Sequence, residues 1–276
     1  MSSSTIPIDV ADFRETGSVL IPGLFDRAEI ERVRSDAKRV FTVQLRRHRL
    51  VGEEEVGERE FELALFQLFE SHMDDYINAG KQIQHLVSLH RLGLDPRIME
   101  ALGQLGLEFP NVNTRPVLFF NSRRLAREEV YWRVFAHQDW RSMQGSLDAI
   151  VVWVPLTDID VSLGALEVLP GSHRLGLLDA SEVVNAFGRA DGIDESGFVP
   201  VEVGQGDALL LSAFLVHRSG TNVTPSIRWS CHFRFNNLAE PTFVERGFPN
   251  SFSYQPSETL ITPDFPTREQ VERVFS

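Results

Sequence analysis

The chain has a single cysteine, Cys231, in 276 residues, so no disulfide can form within it and stability must come from buried apolar surface. Lysine is almost missing: Lys38 and Lys81 are the only two, and the rest of the 27 basic residues are arginine. Set against 39 acidic residues, this leaves a formal net charge of −12, which excludes the broad basic surface that a phosphate backbone requires. Nucleic acid is therefore not an expected partner. No stretch reaches the ~18 consecutive apolar residues of a membrane span, and "MSSSTIPIDVADF" lacks the basic-then-apolar order of a secretory signal. These absences point to a soluble, cytoplasmic protein without a membrane partner. Internal repeats, low-complexity tracts and long linkers are also missing, and 42% hydrophobic content suffices for one well-cored domain spanning residues 1–276.

What is present divides the chain by period. Residues 1–110 are expected to be mainly helical. Asp26 and Glu29 form a capping pattern ahead of Ile30, Val33, Ala37 and Val40, whose spacing predicts a helix over about 27–45. Asp95 and Pro96 open a further helix in "DPRIMEALGQLG". "FRETGSVLIPGLF" reads as a short strand and turn. Between about 111 and 240 the period shortens, and "RPVLFFN", "VYWRVFAH", "LDAIVVWVPL", "GALEVLPGS", "FVPVEVG", "GDALLLSAFLVH" and "IRWSCHFRF" read as strands between Gly, Pro, Asp and Ser clusters. Short strands without intervening long helices predict a mainly β, antiparallel jelly-roll sandwich or barrel with a helical elaboration. Residues 241–276 form a C-terminal extension.

Two of these strands end in histidine. In "VFAHQDW", His137 and Asp139 lie at i and i+2, which in a strand share a face. Among eight histidines such a pair arises by accident, so a third ligand is required. "GDALLLSAFLVHRSGTN" supplies His217 at the end of another apolar run. Two histidines and one carboxylate match the facial set of a non-haem Fe(II) oxygenase, which leaves positions open for substrate and O2. A dicarboxylate co-substrate in those positions needs a cationic fork, and Arg228 opens the strand that follows the "SGTNVTPS" turn. An antiparallel return would set it beside the strand carrying His217.

These residues resemble those of the phytanoyl-CoA dioxygenase family of Fe(II)- and 2-oxoglutarate-dependent oxygenases. "FRETGSVLIPGLFDRAEIERVR", "HQDW", "GALEVLPGSHR" and above all "HRSGTNVTPSIR", with its arginine eleven residues after the histidine, carry the resemblance over most of the chain. It implies a double-stranded β-helix (jelly-roll, cupin-like) core flanked by N-terminal helices. It also implies Fe(II) on His137, Asp139 and His217, with 2-oxoglutarate chelating the metal. Arg228 would hold the distal carboxylate and Ser219 would hydrogen-bond beside it. Trp153 falls where the family often has an aromatic against the co-substrate, although a Trp in an apolar strand reads equally as core packing. Where the family often has a Lys, Thr or Asn on an early strand, Asn121 is the candidate here. Retention of Asp139, which related halogenases replace with a small residue, favours hydroxylation of an unactivated C–H coupled to decarboxylation of 2-oxoglutarate to succinate and CO2.

The substrate is expected to be a small molecule. Arg123, Arg124, Arg127, Arg133 and Arg141 cluster around the His-x-Asp motif, so either they face the mouth and favour an anionic substrate, or they pair with Glu128 and Glu129 in a solvated loop. Trp140, Gln144 and His173 follow the motifs closely and are expected to line the pocket with Arg133 and Arg141. A non-catalytic β-sandwich binding module and a zinc-dependent hydrolase using the same ligands are the alternative functions. The pattern carries no information on oligomeric state.

Overall fold

In the computed structural model, which describes residues 6–129, 132–184 and 187–252 with the single positions 264 and 270, a helical layer packs on one face of an antiparallel sheet. The helices of this layer are α1 (Val10–Thr16), α2 (Arg27–Arg47), α3 (Glu58–Ser71), α4 (Met73–Gln82), α5 (Val87–Gly93) and α6 (Pro96–Gln104). The strands are β1 (Ser18–Ile21), β2 (Pro110–Val112), β3 (Val117–Asn121), β4 (Ile150–Pro155), β5 (Leu166–Val168), β6 (Ala180–Val184), β7 (Phe187–Ala190), β8 (Val199–Val201), β9 (Ala208–Ser212), β10 (His217–Ser219) and β11 (Arg228–Asn237). Two further helices are α7 (Trp140–Met143) and α8 (Pro241–Glu245).

The predicted helix at 27–45 is α2, which buries Ile30, Val33, Ala37, Phe41 and Leu45 along one stripe. Its start is set by the Asp26 N–H donating to Glu29 Oε2 at 2.9 Å. Arg97 on α6 then grips Glu29 Oε1 and Oε2 at 2.8 and 3.0 Å and Asp95 Oδ1 at 2.8 Å, tying the two helices together. "FRETGSVLIPGLF" differs from expectation: Phe13–Thr16 ends α1, and the strand is confined to Ser18–Ile21. α1 buries none of its residues, so it has no apolar stripe from which its period could be read.

The large sheet runs β1-β9-β4-β11-β2, with β3 also pairing with β11, and a small sheet runs β10-β5-β8. β4 is buried throughout because both of its faces are covered. Ile150, Val152 and Val154 join the core beneath the helices, whereas Val151 and Trp153 join a second core between the sheets. β11 alternates in the same way. Trp229, Cys231, Phe233 and Phe235 enter the helical core, and Arg228, Ser230, His232 and Arg234 face the space between the sheets. The edge of the large sheet is clamped to the helices by Gln84, whose Oε1 accepts from Leu118 N at 2.7 Å and whose Nε2 donates to Leu118 O at 2.9 Å.

Two predicted strands are broken. "GDALLLSAFLVH" is β9 and then a turn in which Leu215 N donates to Ser212 O at 2.9 Å, so His217 begins β10 in the opposite sheet. "VYWRVFAH" is not a ladder strand. Trp132 and Arg133 N–H groups bond back to Glu129 O, and regular pairing reduces to the His137–His217 bridge; Val130 and Tyr131 lie outside the described residues. Of the C-terminal extension, α8 is capped by Glu240 accepting from Thr242 N and Phe243 N, while 253–263, 265–269 and 271–276 lie outside the described residues. No described helix is long and apolar enough to cross a membrane.

Candidate metal centre

The His137–His217 bridge fixes the site. Their backbones exchange two hydrogen bonds, of 3.0 and 3.1 Å, which places both imidazoles on one side of the small sheet. Each ring is locked by the same device. His137 Nδ1 lies 2.8 Å from Phe135 O and His217 Nδ1 lies 3.0 Å from Leu215 O, so each Nδ1–H donates to a carbonyl two residues upstream and each Nε2 keeps its lone pair. Asp139 is not a strand residue as the i, i+2 argument assumed. It sits at the helical N-cap of α7 (φ −62°, ψ −30°), two residues beyond the bridge, and its Oδ2 lies 3.5 Å from His217 Nε2. One ligand atom from each of His137, Asp139 and His217 lies within 4.8 Å of the others, and all three side chains are buried.

The carboxylate is held from behind by Arg234, which donates from Nη2 and Nε to Oδ1 at 2.7 and 3.2 Å. Burial opposes ionisation of Asp139, yet the Arg234 guanidinium, ahead of the neighbouring imidazoles, outweighs it and holds the carboxyl well below the ordinary carboxylate range. Burial, followed by repulsion from His217, pushes His137 down to about 4, so its imidazole is neutral and ready to donate to a metal at physiological pH. His232, between Arg228 and Arg234 on the same face of β11, is held neutral by burial and by Arg234.

These groups surround a cavity of about 210 Å³. Arg228 lies on its wall, 2% exposed, but not beside β10 as expected: β11 pairs with β3 and β4, and Arg228 reaches across the interior from the large sheet to the small one. Its Nη2 meets Ser219 Oγ at 3.4 Å and its Nη1 donates to Gly164 O. Gly164 presents that carbonyl at φ +86°, where an added Cβ would lie 2.8 Å from Gly220 O. Arg228 has no carboxylate partner among the described residues, and burial alone pushes its guanidinium down to about 10. Its Nε and the Ser230 Oγ are buried without hydrogen-bond partners. Such groups call for an anionic ligand, because a buried cation without a counter-charge is unfavourable.

Trp153 and Ser219 line this cavity, as expected. Asn121 stands opposite Arg228 in the β3–β11 register, but its Nδ2 donates to Trp132 O and it does not line the cavity; its Oδ1 is buried without a partner. The five residues expected around the substrate are not brought there. Trp140 stacks on Phe214 at 5.2 Å and, with His173, lines a separate surface depression. His173 lies 3.2 Å from Arg14 O, Arg141 donates to Leu178 O, and Gln144 ends α7 with φ +52° and faces solvent. Arg133 pairs with Glu129 at 3.0 Å, the solvated-loop alternative. One contact and two lining positions were not foreseen from the sequence. Arg234 supports Asp139, and strand parity with Arg228 was the signal for it. Phe119 and Val117 form the β3 wall, and nothing in their local pattern marks them as cavity residues.

Residues 13–230 match the phytanoyl-CoA dioxygenase (PhyH) family over more than half of the chain. The chain belongs to this family. A zebrafish (Danio rerio) phytanoyl-CoA dioxygenase domain-containing protein 1 is 33% identical over 85 residues, 28% of this chain and 29% of that protein. Phytanoyl-CoA dioxygenase 1 of Oryza sativa subsp. japonica is 33% identical over 81 residues, again 28% and 29%. The match thus spans under a third of the length of these curated relatives. Among solved structures, the epimerase SnoN in complex with Fe3+, alpha ketoglutarate and nogalamycin RO aligns with a TM-score of 0.56 at 20% identity, covering 83% of this chain and 82% of SnoN. The carbocyclase SnoK from nogalamycin biosynthesis aligns at 0.54 and 17%, covering 93% and 94%. HygX from Streptomyces hygroscopicus, with nickel and 2-oxoglutarate bound, aligns at 0.53 and 16%, covering 97% and 94%. These likenesses establish the cupin-like jelly roll, the double-stranded β-helix of the expected fold.

Proposed function

We propose that the protein hydroxylates an unactivated C–H of a small molecule in the cytoplasm, with Fe(II), 2-oxoglutarate and O2, and releases succinate and CO2. The observation that carries this reading is Arg228, a buried guanidinium without a carboxylate partner among the described residues, facing the same cavity as three converging ligand atoms. A purely structural zinc site has no use for such a group, and succinate release separates the oxygenase from a zinc hydrolase or a binding module that holds an anion there.

The donor set fits iron: two imidazole nitrogens, each ring held by its Nδ1 on a carbonyl, and one carboxylate oxygen, with Asp139 Oδ1 engaged by Arg234 so that Oδ2 is the oxygen left to bind. His137, Asp139 and His217 would hold the metal, and Arg228 with Ser219 would hold the far carboxylate of 2-oxoglutarate. Fe(II) bound there supplies the O2 activation that couples 2-oxoglutarate decarboxylation to oxidation of the substrate. The chain's own residues orient and exclude. Arg228 aligns the co-substrate as a planar fork, Trp153, Leu166 and Leu211 keep the cavity dry, and the two locked imidazoles need no reorganisation to bind. Retention of Asp139 supports hydroxylation over halogenation. Asn121 stays in this proposal only as a group at the Arg228 end of β3.

The test is an anaerobic titration of Fe(II) protein with 2-oxoglutarate, followed by its metal-to-ligand charge-transfer band. A screen for substrate-stimulated succinate release and a product one oxygen atom heavier should follow. Absence of the band would refute the co-substrate assignment. A product without added oxygen would move the reaction to another outcome of C–H oxidation.

A further inference from the structure

Both arginines of the inward row on β11 already have tasks. Arg234 holds Asp139 Oδ1 at 2.7 Å, and Arg228 meets Ser219 at the other end of the cavity. Ser230 and His232, between them, have none. Ser230 Oγ is buried without a hydrogen-bond partner. No hydrogen bond or ring contact engages the His232 imidazole among the described residues, and the ring is half-buried against the cavity. In the register across the sheet its neighbours are Val117 on β3 and Trp153 on β4, so the imidazole is set between two apolar bodies. In either ionisation state such a ring carries at least one N–H donor, and a donor in an apolar wall calls for a partner. The position of the ring decides which partner. His137 and His217 reach the metal site from the small sheet, so the coordination positions that they leave open are turned towards the large one. His232 stands two residues from Arg234, about 7 Å along the strand. It is close enough to Asp139, His217 and His137 for their charges to act on it, which puts it at the metal end of the row. Asn121, the residue expected to serve the metal-proximal end, is turned away to Trp132 O.

We infer that His232 donates a hydrogen bond to the metal-proximal end of 2-oxoglutarate, its α-keto acid, and so takes the part that Asn121 leaves. This role rests on the oxygenase reading and deepens it. Arg228 and His232 then grip the two ends of the co-substrate from one strand, and the spacing between them measures its length. An α-keto diacid one carbon shorter or longer satisfies only one of the two anchors. Val117 and Trp153 keep water from competing for the His232 N–H, which strengthens a bond to a charged acceptor.

Anaerobic Fe(II) protein, full-length, is titrated with 2-oxoglutarate and with pyruvate, which keeps the α-keto acid and lacks the distal carboxylate; the charge-transfer band is followed. His232→Leu should bind iron normally and weaken both ligands by a similar factor, roughly 10- to 100-fold, the worth of one hydrogen bond to a charged group. Its band should move to higher energy, because an N–H on the keto acid lowers the acceptor orbital of the transition. His232→Gln, which retains an N–H donor, should recover most of the affinity and bring the band back. Arg228→Ala should weaken 2-oxoglutarate but leave pyruvate nearly unchanged, which separates the two anchors. Should His232→Leu fail to fold, His232→Phe keeps a planar ring between Val117 and Trp153, lacks the donor, and gives the same comparison. A merely structural His232 would give equal losses in the Leu and Gln variants and no band shift. That result overturns the assignment, as does unchanged pyruvate affinity with an unmoved band in iron-loaded His232→Leu. A shift found in Trp153→Phe instead would transfer the role to the indole N–H and overturn it too. Absence of the band in the wild type refutes the oxygenase reading and the His232 assignment with it.

Discussion

Replacing Arg228 separates co-substrate affinity from metal affinity. The guanidinium is 2% exposed, its Nε is unsatisfied, and among the described residues it donates to Ser219 Oγ and Gly164 O and meets no carboxylate, so its charge is uncompensated until an anion arrives. Truncating one member of a buried, hydrogen-bonded ion pair costs about 3–5 kcal/mol. At ~1.4 kcal/mol per tenfold, Arg228→Ala should raise the 2-oxoglutarate dissociation constant by roughly two to three and a half orders of magnitude. Arg228→Lys should recover part of this, since an ammonium offers no parallel pair of donors. Iron affinity should change little, because Arg228 touches none of the three candidate ligands. The same reasoning gives a second sign. Without co-substrate the buried charge is a liability, so Arg228→Met should melt no lower than wild type in the absence of 2-oxoglutarate and should lose the stabilisation that 2-oxoglutarate confers. Anaerobic titration of the charge-transfer band and thermal melts with and without 2-oxoglutarate measure both. An unchanged titration midpoint in Arg228→Ala with iron still bound would refute the anchor.

His217→Ala should lose stoichiometric iron, measured by metal analysis after gel filtration, because one of three ligand atoms and the bridge partner of His137 are altered together. Gln84→Ala should destabilise the fold by about 1–3 kcal/mol in urea unfolding, as it leaves both backbone polar groups of Leu118 without their side-chain partner on the edge strand. Glu29 and Asp95 have folded pKa values lowered chiefly by hydrogen bonds from Arg97, so they contribute stability above their unfolded values, near 4.5 and 3.8, which is lost as pH falls through the folded ones. Arg97→Met should therefore flatten the acid limb of a stability–pH profile below about pH 4.5 and leave its slope at neutral pH unchanged, by a modest amount given the partial exposure of the network.

Much of the fold was legible because period and burial coincide. α2 could be read from Ile30, Val33 and Ala37, and β4 from an apolar run that the structure covers on both faces. The misreadings have one physical origin: an apolar run reports burial, not continuity. In "GDALLLSAFLVH" every residue from Ala208 to Leu211 is buried in one sheet, and Val216 and His217 are buried in the other, so the hydropathy carries straight through a turn at Ser212 that has no Gly or Pro to mark it. The His137–Asp139 pair was found through a strand parity that it does not use. The helical N-cap conformation at Asp139, two residues after the bridge, still brings its carboxylate to the same point, with Oδ2 3.5 Å from His217 Nε2.

The cavity on the α4 side of β3 was not legible in the sequence, for a reason that concerns distance along the chain. Trp140, Arg141 and Gln144 are close to the ligands in sequence, yet α7 turns them outward within one helical turn of Asp139. The cavity that shares a wall with the metal site is built from α4 and β3, whose Tyr76 and Val117 precede His137 by 61 and 20 residues. The two sheets explain the division. β10 and the His137 bridge supply the imidazoles from one side, and the alternate residues of β11 supply every inward cation from the other, so a charge placed at the metal must come from the sheet opposite to the ligand it neutralises. Arg234 meets that condition with Asp139, and Arg228 meets it with Ser219 and with whatever carboxylate lies beside it. Strand parity along "IRWSCHFRF" therefore carries more of the site than proximity to the His-x-Asp motif does. Positions 228, 230, 232 and 234 form a single inward row, with a positive group at each end and the candidate metal ligands facing it.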